Sequence, residues 1–254
     1  MRLTLYYLPH SPWSNLVRCV AAYHNIGLEQ VEYQPIIGEP ALRMRLLAYN
    51  KQWPRRVTVP VLLTPTGIQT DSWSIVRFLD PQGTNRPLLP AEHSTAIRSW
   101  REQSELILNA GRARFMVRAV ANETALRELV PPALNRLPSA MLQRSIAVFQ
   151  AKYGIRSEDY DTHEQTLRDA LRNLQAALPK QSDYLLGPLT YADVCMATAL
   201  QTIAPLPGSG FGPASESVAG EHDLAQEFPD LLRYRDTVNH ACPLVPPDTP
   251  PAVT

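Results

Sequence analysis

The segment that most constrains the fold is Val59-Pro60-Val61-Leu62, which is followed closely by the helix start Asp71-Ser72. A proline has no N–H to donate to a sheet ladder, so it belongs at the beginning or the edge of a strand. Between these segments, Thr64-Pro65-Thr66-Gly67 has the composition of a turn that joins two strands. Asp71 and Ser72 are both favoured N-cap residues. The pattern predicts a strand, a turn, a second strand and a helix in close succession.

Such an arrangement can bind an extended, peptide-like anion. The backbone near Val59 is free to pair with a ligand that lies beside the proline. The amide groups at Ser72 can hold a carboxylate, because a helix N-terminus favours negative charge. Glutathione answers this description well. We therefore predict that Val59, Pro60, Asp71 and Ser72 bind glutathione.

The balance of charge argues against several classes of partner. The 254 residues include 24 Lys and Arg and 24 Asp and Glu, so the formal net charge is zero, and no basic run stands out. We therefore expect neither nucleic acid nor a membrane as a partner. No stretch is apolar for long enough to span a bilayer, and residues 1–7 lack the apolar core of a signal peptide. The 3 cysteines are too scattered for a zinc site or a disulfide framework. These observations favour a cytoplasmic, reduced protein without a metal.

Strand and helix signals alternate in the first part of the chain. Ser11 followed by Pro12 marks the start of a helix, because proline at the first helical position loses no hydrogen bond. The resulting order, β-α-β-α-β-β-α, is typical of an α/β unit. The predicted elements are strands at 3–8, at 28–33, around Val59 and around Ile68, and helices at 12–27, around 41–49 and at 72–79.

After residue 90 the strand signals fade and helical periodicity takes over. The predicted helices lie at 91–122, 141–153, 164–178, 190–203 and 223–240. Residues 205–221 are rich in Gly, Pro and Ser, and we expect them either to shape a specific pocket or act as a lid near its mouth, or to form a disordered surface loop. The sequence thus predicts an α/β domain at 1–81, an all-helical domain at 90–242 and a proline-rich tail at 243–254.

The sharpest local signal in the helical half is Thr190-Tyr191-Ala192-Asp193. Thr190 as N-cap and Asp193 three residues later form the carboxylate version of a capping box. Leu189 and Val194 are placed to form the accompanying hydrophobic contact. We interpret these residues as a folding device that starts a buried helix, and not as catalytic groups.

Four features together resemble the cytosolic glutathione S-transferases. They are the order of elements, the Val59-Pro60 strand, the Asp71-Ser72 helix start and the segment Leu185-Leu186-Gly187 with its helix at Thr190-Tyr191-Ala192-Asp193. The resemblance covers most of residues 2–204 and resumes at 228–231. It implies a thioredoxin-like N-terminal domain, an all-helical C-terminal domain, a cis Pro60 and a homodimer. It also implies that glutathione is the cosubstrate and that the helical domain holds a hydrophobic electrophilic small molecule.

The reaction of these enzymes needs a group that hydrogen-bonds the glutathione sulfur and lowers its pKa. Ser11-Pro12-Trp13-Ser14 resembles the Ser-Pro-Phe motif of the serine-type transferases, so Ser11 is the first candidate. Ser14, one turn further on, is a weaker candidate. Tyr7-Leu8-Pro9 resembles the pattern of the tyrosine-type transferases, so Tyr7 is an alternative. The structural interpretations are that Ser11 acts only as an N-cap and that Tyr7 is a packed strand aromatic.

Two further expectations concern the ligand and the reaction. Arg55 or Arg56, in an unusual segment before Val59, would reach the glycyl carboxylate of glutathione, unless both are merely solvated. We expect an enzyme that activates the glutathione thiol for conjugation, ether cleavage or a related reaction. The alternatives are a catalytically silent binding or assembly module with the same fold, and a glutathione-dependent isomerase.

Overall fold

The first part of the chain forms a four-stranded sheet. The structure is a computed structural model that describes residues 3–35, 37–50, 57–131 and 134–244. Strand β1 pairs in parallel with β2 and antiparallel with β3, and β3 pairs antiparallel with β4, so the order across the sheet is β2-β1-β3-β4. The strands are β1 (Thr4–Tyr7), β2 (Glu29–Glu32), β3 (Val61–Thr64) and β4 (Gly67–Gln69).

Helices cover both faces of this sheet. They are α1 (Pro12–Tyr23), α2 (Glu39–Asn50) and α3 (Ser72–Leu79). Leu5 and Tyr7 of β1 belong to the same core cluster as residues of α1 and α3, whereas Tyr6 packs with residues of α2. This division follows from the alternation of side chains along a strand. The predicted order β-α-β-α-β-β-α and the thioredoxin-like fold of this part are confirmed.

The second part of the chain is mostly helical, as predicted. Its helices are α4 (Ser94–Ala121), α5 (Glu123–Leu129), α6 (Ser139–Tyr153), α7 (Tyr160–Ala177), α8 (Tyr191–Leu200), α9 (Pro213–Ala219), α10 (His222–Glu227) and α11 (Pro229–Ala241). Helix α8 is buried along its whole length and packs between α4 and α11. Among the described residues, no helix is both long and apolar enough to cross a membrane.

The helical part differs from the sequence prediction at three places. Helix α5 was not expected as a separate element. The predicted helix at 223–240 is divided into α10 and α11, because Pro229 has no N–H and begins a new helix. The segment 205–221, expected to be irregular, contains α9.

The buried carboxylate of Asp80 stabilises the segment that connects the sheet-containing part to the helical part. Asp80 accepts hydrogen bonds from the backbone N–H groups of Leu88 at 2.7 Å and Leu89 at 3.1 Å. The Nε2 atom of His24 lies 2.8 Å from the same carboxylate. A side chain at Gly83 would clash with the His24 ring, since an added Cβ would lie 1.9 Å from Nδ1. These contacts bind the link to the end of α1.

The predicted capping box at the start of α8 is confirmed. Asp193 accepts a hydrogen bond from the backbone N–H of Thr190 at 2.9 Å. Its carboxylate also accepts from the backbone N–H of Leu185 at 2.7 Å and from the hydroxyl of Tyr234 at 2.9 Å. Burial raises the pKa of Asp193, although these hydrogen bonds oppose the shift. Asp193 therefore joins α8, the preceding turn and α11 and has a structural role.

Candidate active site

A cavity of about 580 Å³ lies between the sheet-containing part and the helical part. One wall is formed by the start of α1, the segment before β3 and the start of α3. The opposite wall is formed by α4, α6 and the segment that precedes α9. The cavity brings together five of the predicted site residues, which are Ser11, Val59, Pro60, Asp71 and Ser72.

Ser11 is the N-cap of α1, but its hydroxyl does not cap the helix. Its backbone is extended, and the side chain makes no capping hydrogen bond. The backbone N–H donates to the carbonyl of Leu8 at 3.0 Å, and the carbonyl accepts from the N–H of Asn15 at 3.0 Å. Within the described part of the chain, the Ser11 hydroxyl has no hydrogen-bond partner. Because Ser11 lines the cavity, its hydroxyl is free to donate a hydrogen bond to a ligand at the N-terminus of α1.

The structure places the other two candidate hydroxyls outside the cavity lining. Ser14 is fully buried, and its Oγ accepts a hydrogen bond from the backbone N–H of Leu8 at 3.1 Å. Tyr7 is also buried, and the guanidinium carbon of Arg18 lies 4.7 Å from the centre of its ring. Ser14 and Tyr7 are therefore packed inside the protein. The hydrogen bond to Ser14 fixes the turn that precedes Ser11.

The Val59–Pro60 peptide bond is cis, as the resemblance implied. Pro60 lies directly before β3, and both residues line the cavity. Among the described residues, no backbone hydrogen bond involves Val59. Just upstream, the carbonyl of Val57 accepts a hydrogen bond from the Nζ of Lys152 at 2.8 Å, which ties this segment to α6. The N–H and C=O of Val59 thus stay available to an extended ligand.

The start of α3 forms the next stretch of the wall. Asp71 is the N-cap, and its carboxylate accepts a hydrogen bond from the backbone N–H of Ser74 at 2.9 Å. Ser72 is buried at the first helical position. The N–H groups of the first turn other than that of Ser74 have no intrahelical acceptor, so they can hold a carboxylate. Asp71 combines this capping role with an exposed negative charge.

Sequence reasoning missed His10 and Phe211. Their rings are stacked with centres 5.5 Å apart, and Phe211 also makes an edge contact with Phe115 at 5.4 Å. All three residues line the cavity. Burial lowers the pKa of His10 to about 4, so its imidazole is neutral near pH 7. The signal that would have indicated Phe211 is its position between Gly210 and Gly212, within a segment that already had the composition of a lid.

The segment 205–221 packs against the rest of the protein. Glu221 forms ion pairs with Arg114 at 2.9 Å and with Arg118 at 2.5 Å. The Glu128 carboxylate accepts hydrogen bonds from the first N–H groups of α9, at 3.1 Å and 2.7 Å, which lowers the pKa of Glu128. Gly210 adopts φ +83°, and an added Cβ would lie 2.7 Å from the Cβ of Pro9. Of the two expectations for this segment, the structure favours a role in shaping the pocket.

The predicted glycyl-carboxylate ligands, Arg55 and Arg56, lie outside the described residues. Among the described residues, Lys152 lines the cavity and is 3.5 Å from the carboxylate of Glu39. Within the described part of the chain, no group of three or more His, Cys, Asp or Glu side chains is arranged to hold a metal ion.

Comparisons with known proteins agree with this architecture. Residues 5–87 match the family model described as the glutathione S-transferase N-terminal domain. No curated protein sequence matches the chain. By its fold, this is therefore a protein with a thioredoxin-like domain followed by a helical domain.

Several solved glutathione S-transferases and a β-etherase have a similar fold. A glutathione S-transferase from Methylobacillus flagellatus, solved with glutathione bound, is 20% identical over 95% of this chain and 99% of its own, with a TM-score of 0.58. One from Methylobacterium radiotolerans, in complex with glutathione sulfonate, is 19% identical over 100% and 97%, with a TM-score of 0.59. The β-etherase LigF from Sphingobium sp. is 21% identical over 96% and 97%, with a TM-score of 0.61. Residues 5–87 thus match the model of a glutathione S-transferase N-terminal domain, and the whole chain is similar in fold to solved glutathione S-transferases.

Proposed function

We propose that the protein binds glutathione in this cavity and activates its thiol for attack on an electrophilic small molecule. The observation that carries the proposal is that the hydroxyl of Ser11 makes no capping hydrogen bond. It stands at the N-terminus of α1, on the wall of the cavity that also contains cis Pro60 and the start of α3. The glutathione complexes solved for proteins of the same fold support the choice of ligand.

Each part of glutathione has a group to receive it. The free N–H and C=O of Val59 pair with the cysteinyl residue in the manner of an added strand. The N–H groups and the hydroxyl at Ser72 hold the γ-glutamyl carboxylate, and the Asp71 carboxylate holds the adjacent ammonium. In this arrangement the sulfur lies at the N-terminus of α1, within reach of Ser11.

Ser11 then stabilises the thiolate. Its hydroxyl donates a hydrogen bond to the sulfur, and the N-terminus of α1 favours the negative charge, so the pKa of the bound thiol falls. The thiolate attacks an electrophilic carbon held against Phe115 and Phe211, a C–S bond forms, and the leaving group departs with its electron pair. Conjugation and ether cleavage share this first half of the site, and the proposal covers both.

The test begins with a calorimetric titration of glutathione and continues with the Ser11→Ala variant. In this variant we expect a higher pKa of the bound thiol. This pKa is measured from the ultraviolet absorbance of the thiolate. We also expect a turnover number about 10²-fold lower at neutral pH, the usual effect of removing one donor to a developing or stabilised anion.

Ser11→Thr keeps a hydroxyl and serves as the control, and Tyr7→Phe is expected to retain activity. Full activity in Ser11→Ala together with its loss in Tyr7→Phe would reassign the role to Tyr7. Absence of glutathione binding by the unaltered protein would instead support the catalytically silent module.

A further inference from the structure

The wall that α4 contributes to the cavity contains an arginine without a carboxylate partner. Arg112 lies beyond the midpoint of α4 and lines the cavity. Its Nη2 donates a hydrogen bond to the side-chain oxygen of Asn109 at 2.7 Å. Its Nε is buried without a hydrogen-bond partner, and no described carboxylate forms an ion pair with its guanidinium. Burial lowers the pKa of Arg112, and the charge of Glu105 opposes this shift without forming an ion pair with the guanidinium. Arg112 thus carries into the cavity a positive charge that no described carboxylate contacts directly.

Two aromatic rings hold this guanidinium in place. Its carbon lies 4.7 Å from the centre of the Trp13 ring and 4.2 Å from the centre of the Tyr153 ring. Trp13 is itself fixed, because its indole N–H is shared between the two carboxylate oxygens of Glu105 at 3.1 and 3.2 Å. Cation–π contacts of this kind position a guanidinium without using its N–H donors. Apart from the buried Nε and the Nη2 N–H bonded to Asn109, the N–H donors of Arg112 therefore stay available for a bound molecule.

The position of Arg112 relates it to the second substrate. Trp13 comes two residues after Ser11 in the first turn of α1, so the guanidinium borders the region where the reacting sulfur is proposed to lie. The surrounding wall is largely apolar and aromatic. It includes Leu108, Phe115, Met116, Ile146 and Phe149.

The other basic groups of the cavity are placed differently. Lys152 contacts Glu39 and the carbonyl of Val57. Arg101 also has a buried Nε without a hydrogen-bond partner and no ion pair with a described carboxylate, but it lies over the Trp73 ring, with its guanidinium carbon 5.3 Å from the ring centre. Trp73 follows Ser72, so this end of the cavity belongs to the proposed γ-glutamyl site. Arg112 is the basic group that faces the proposed electrophile.

A cation in such surroundings has lost part of its hydration, and burial lowers the pKa of Arg112. An anionic group on a ligand would replace the lost hydration with charge-assisted hydrogen bonds, and a planar guanidinium suits a carboxylate in particular.

We propose that Arg112 makes the enzyme selective for electrophiles that carry a carboxylate, which it binds through its free N–H donors while the thiolate attacks a carbon elsewhere in the same molecule. The proposal rests on the proposed function and adds the class of the second substrate. For 4-(chloromethyl)benzoate, the glutathione thiolate attacks the benzylic carbon, a C–S bond forms, and chloride leaves with the electron pair of the C–Cl bond. The carboxylate takes no part in the bond changes, so its methyl ester undergoes the same reaction as a neutral substrate.

The test compares the two products of these reactions as ligands, because their binding does not depend on turnover. Glutathione, S-(4-carboxybenzyl)glutathione and the methyl ester of its benzoate group are titrated calorimetrically into four proteins. These are the unaltered protein, Arg112→Met, Arg112→Lys and the control Arg98→Met. Arg98 is an exposed arginine on the same helix, so its variant has the same change in net charge as Arg112→Met.

We expect the unaltered protein and Arg98→Met to bind the carboxylate conjugate about 10- to 100-fold more tightly than the ester, as for a charge-assisted hydrogen bond. In Arg112→Met this ratio should fall to about one, while the affinity for glutathione stays unchanged. Arg112→Lys should keep part of the preference. The unchanged glutathione affinity also shows that each variant is folded.

If the unaltered protein binds the two conjugates with equal affinity, this proposal is overturned. Binding of glutathione in the same experiment would leave the proposed function intact. An equal loss of affinity for glutathione and for the carboxylate conjugate in Arg112→Met would place Arg112 in the glutathione site and also overturn it. Failure of the unaltered protein to bind glutathione or either conjugate would overturn both proposals.

Discussion

At the scale of the residue, the site depends on which hydroxyl the local structure leaves free. Ser11 and Ser14 are one helical turn apart, and the sequence offers both as donors at the start of α1. The backbone N–H of Leu8 donates to Ser14, which is buried, whereas the Ser11 side chain makes no capping bond. The difference arises from the turn at 8–11, which aims a backbone N–H at one hydroxyl and not at the other.

Asp71 gives the sharpest prediction at this scale, because it has both a capping role and a proposed binding role. Asp71→Ala should lower the free energy of unfolding by about 1 kcal/mol through loss of the cap. It should also weaken glutathione binding by about 1–3 kcal/mol. Asp71→Asn keeps a good N-cap and removes only the charge, so it should weaken binding with little change in stability.

Denaturant unfolding and calorimetric titration separate the two effects. An unchanged affinity for glutathione in both variants would remove Asp71 from the proposed site.

At the scale of the element, the segment between α8 and α10 shows how distant contacts make a wall out of a glycine- and proline-rich stretch. Helix α9 has Gly212 as its N-cap, which offers no capping side chain. Glu128 of α5 supplies the missing acceptor, and an added Cβ at Gly212 would lie 2.6 Å from the Glu128 carboxyl carbon. Phe211 is thereby held against His10, beside Ser11.

Gly210 is the position where this wall is most sensitive to substitution. Gly210→Ala combines a left-handed backbone, φ +83°, with a contact of 2.7 Å to Pro9. Gly187 has a similar φ of +89°, but nothing lies within 4 Å of a Cβ added there. Gly187→Ala is therefore a matched control. The control should lose about 1–2 kcal/mol of unfolding free energy from the backbone alone. Gly210→Ala should lose about 1–3 kcal/mol more, because the close contact forces a shift.

Denaturant unfolding of both variants measures these losses. We also expect Gly210→Ala, and not Gly187→Ala, to raise the KM for the electrophile, since Phe211 moves with the segment. Equal losses of stability in the two variants would show that the contact with Pro9 is not tight in solution.

At the scale of the whole molecule, one core cluster runs from the sheet through α1 and α3 into α4, α8 and α11. The three cysteines are all part of it and are fully buried. The sulfur of Cys19 in α1 lies 2.6 Å from the sulfur of Cys242, which follows α11. Helix α1 is therefore in contact with the last part of the described chain. Cys19 is therefore a buried packing residue of the core.

Burial of the thiols gives a prediction about their reactivity. Burial raises the pKa of Cys195 to about 12 and the pKa of Cys19 well above its usual value, so burial favours the neutral thiol of both. Because only thiolates react quickly, we expect the folded protein to show no fast reaction with Ellman's reagent at pH 8. The unfolded protein should titrate all 3 cysteines. Rapid reaction of the folded protein would show that the core around these cysteines opens readily.

The homodimer and the cytoplasmic location stay predictions. So does the division at 1–81, 90–242 and 243–254, although the strands lie within 4–69 and the long helix α4 begins at residue 94.

The sequence by itself determined the order of the elements, the start of α1 at Ser11-Pro12, the extent of α3 and the capping box of α8. Each of these depends on residues within one turn of each other, so composition and spacing are sufficient to predict it. Only the tertiary structure decided that Ser11 and not Ser14 faces the cavity, that residues 205–221 form a wall, and that Arg112 lies between Trp13 and Tyr153. These features depend on contacts between segments far apart in the chain, and no local pattern encodes which distant group arrives.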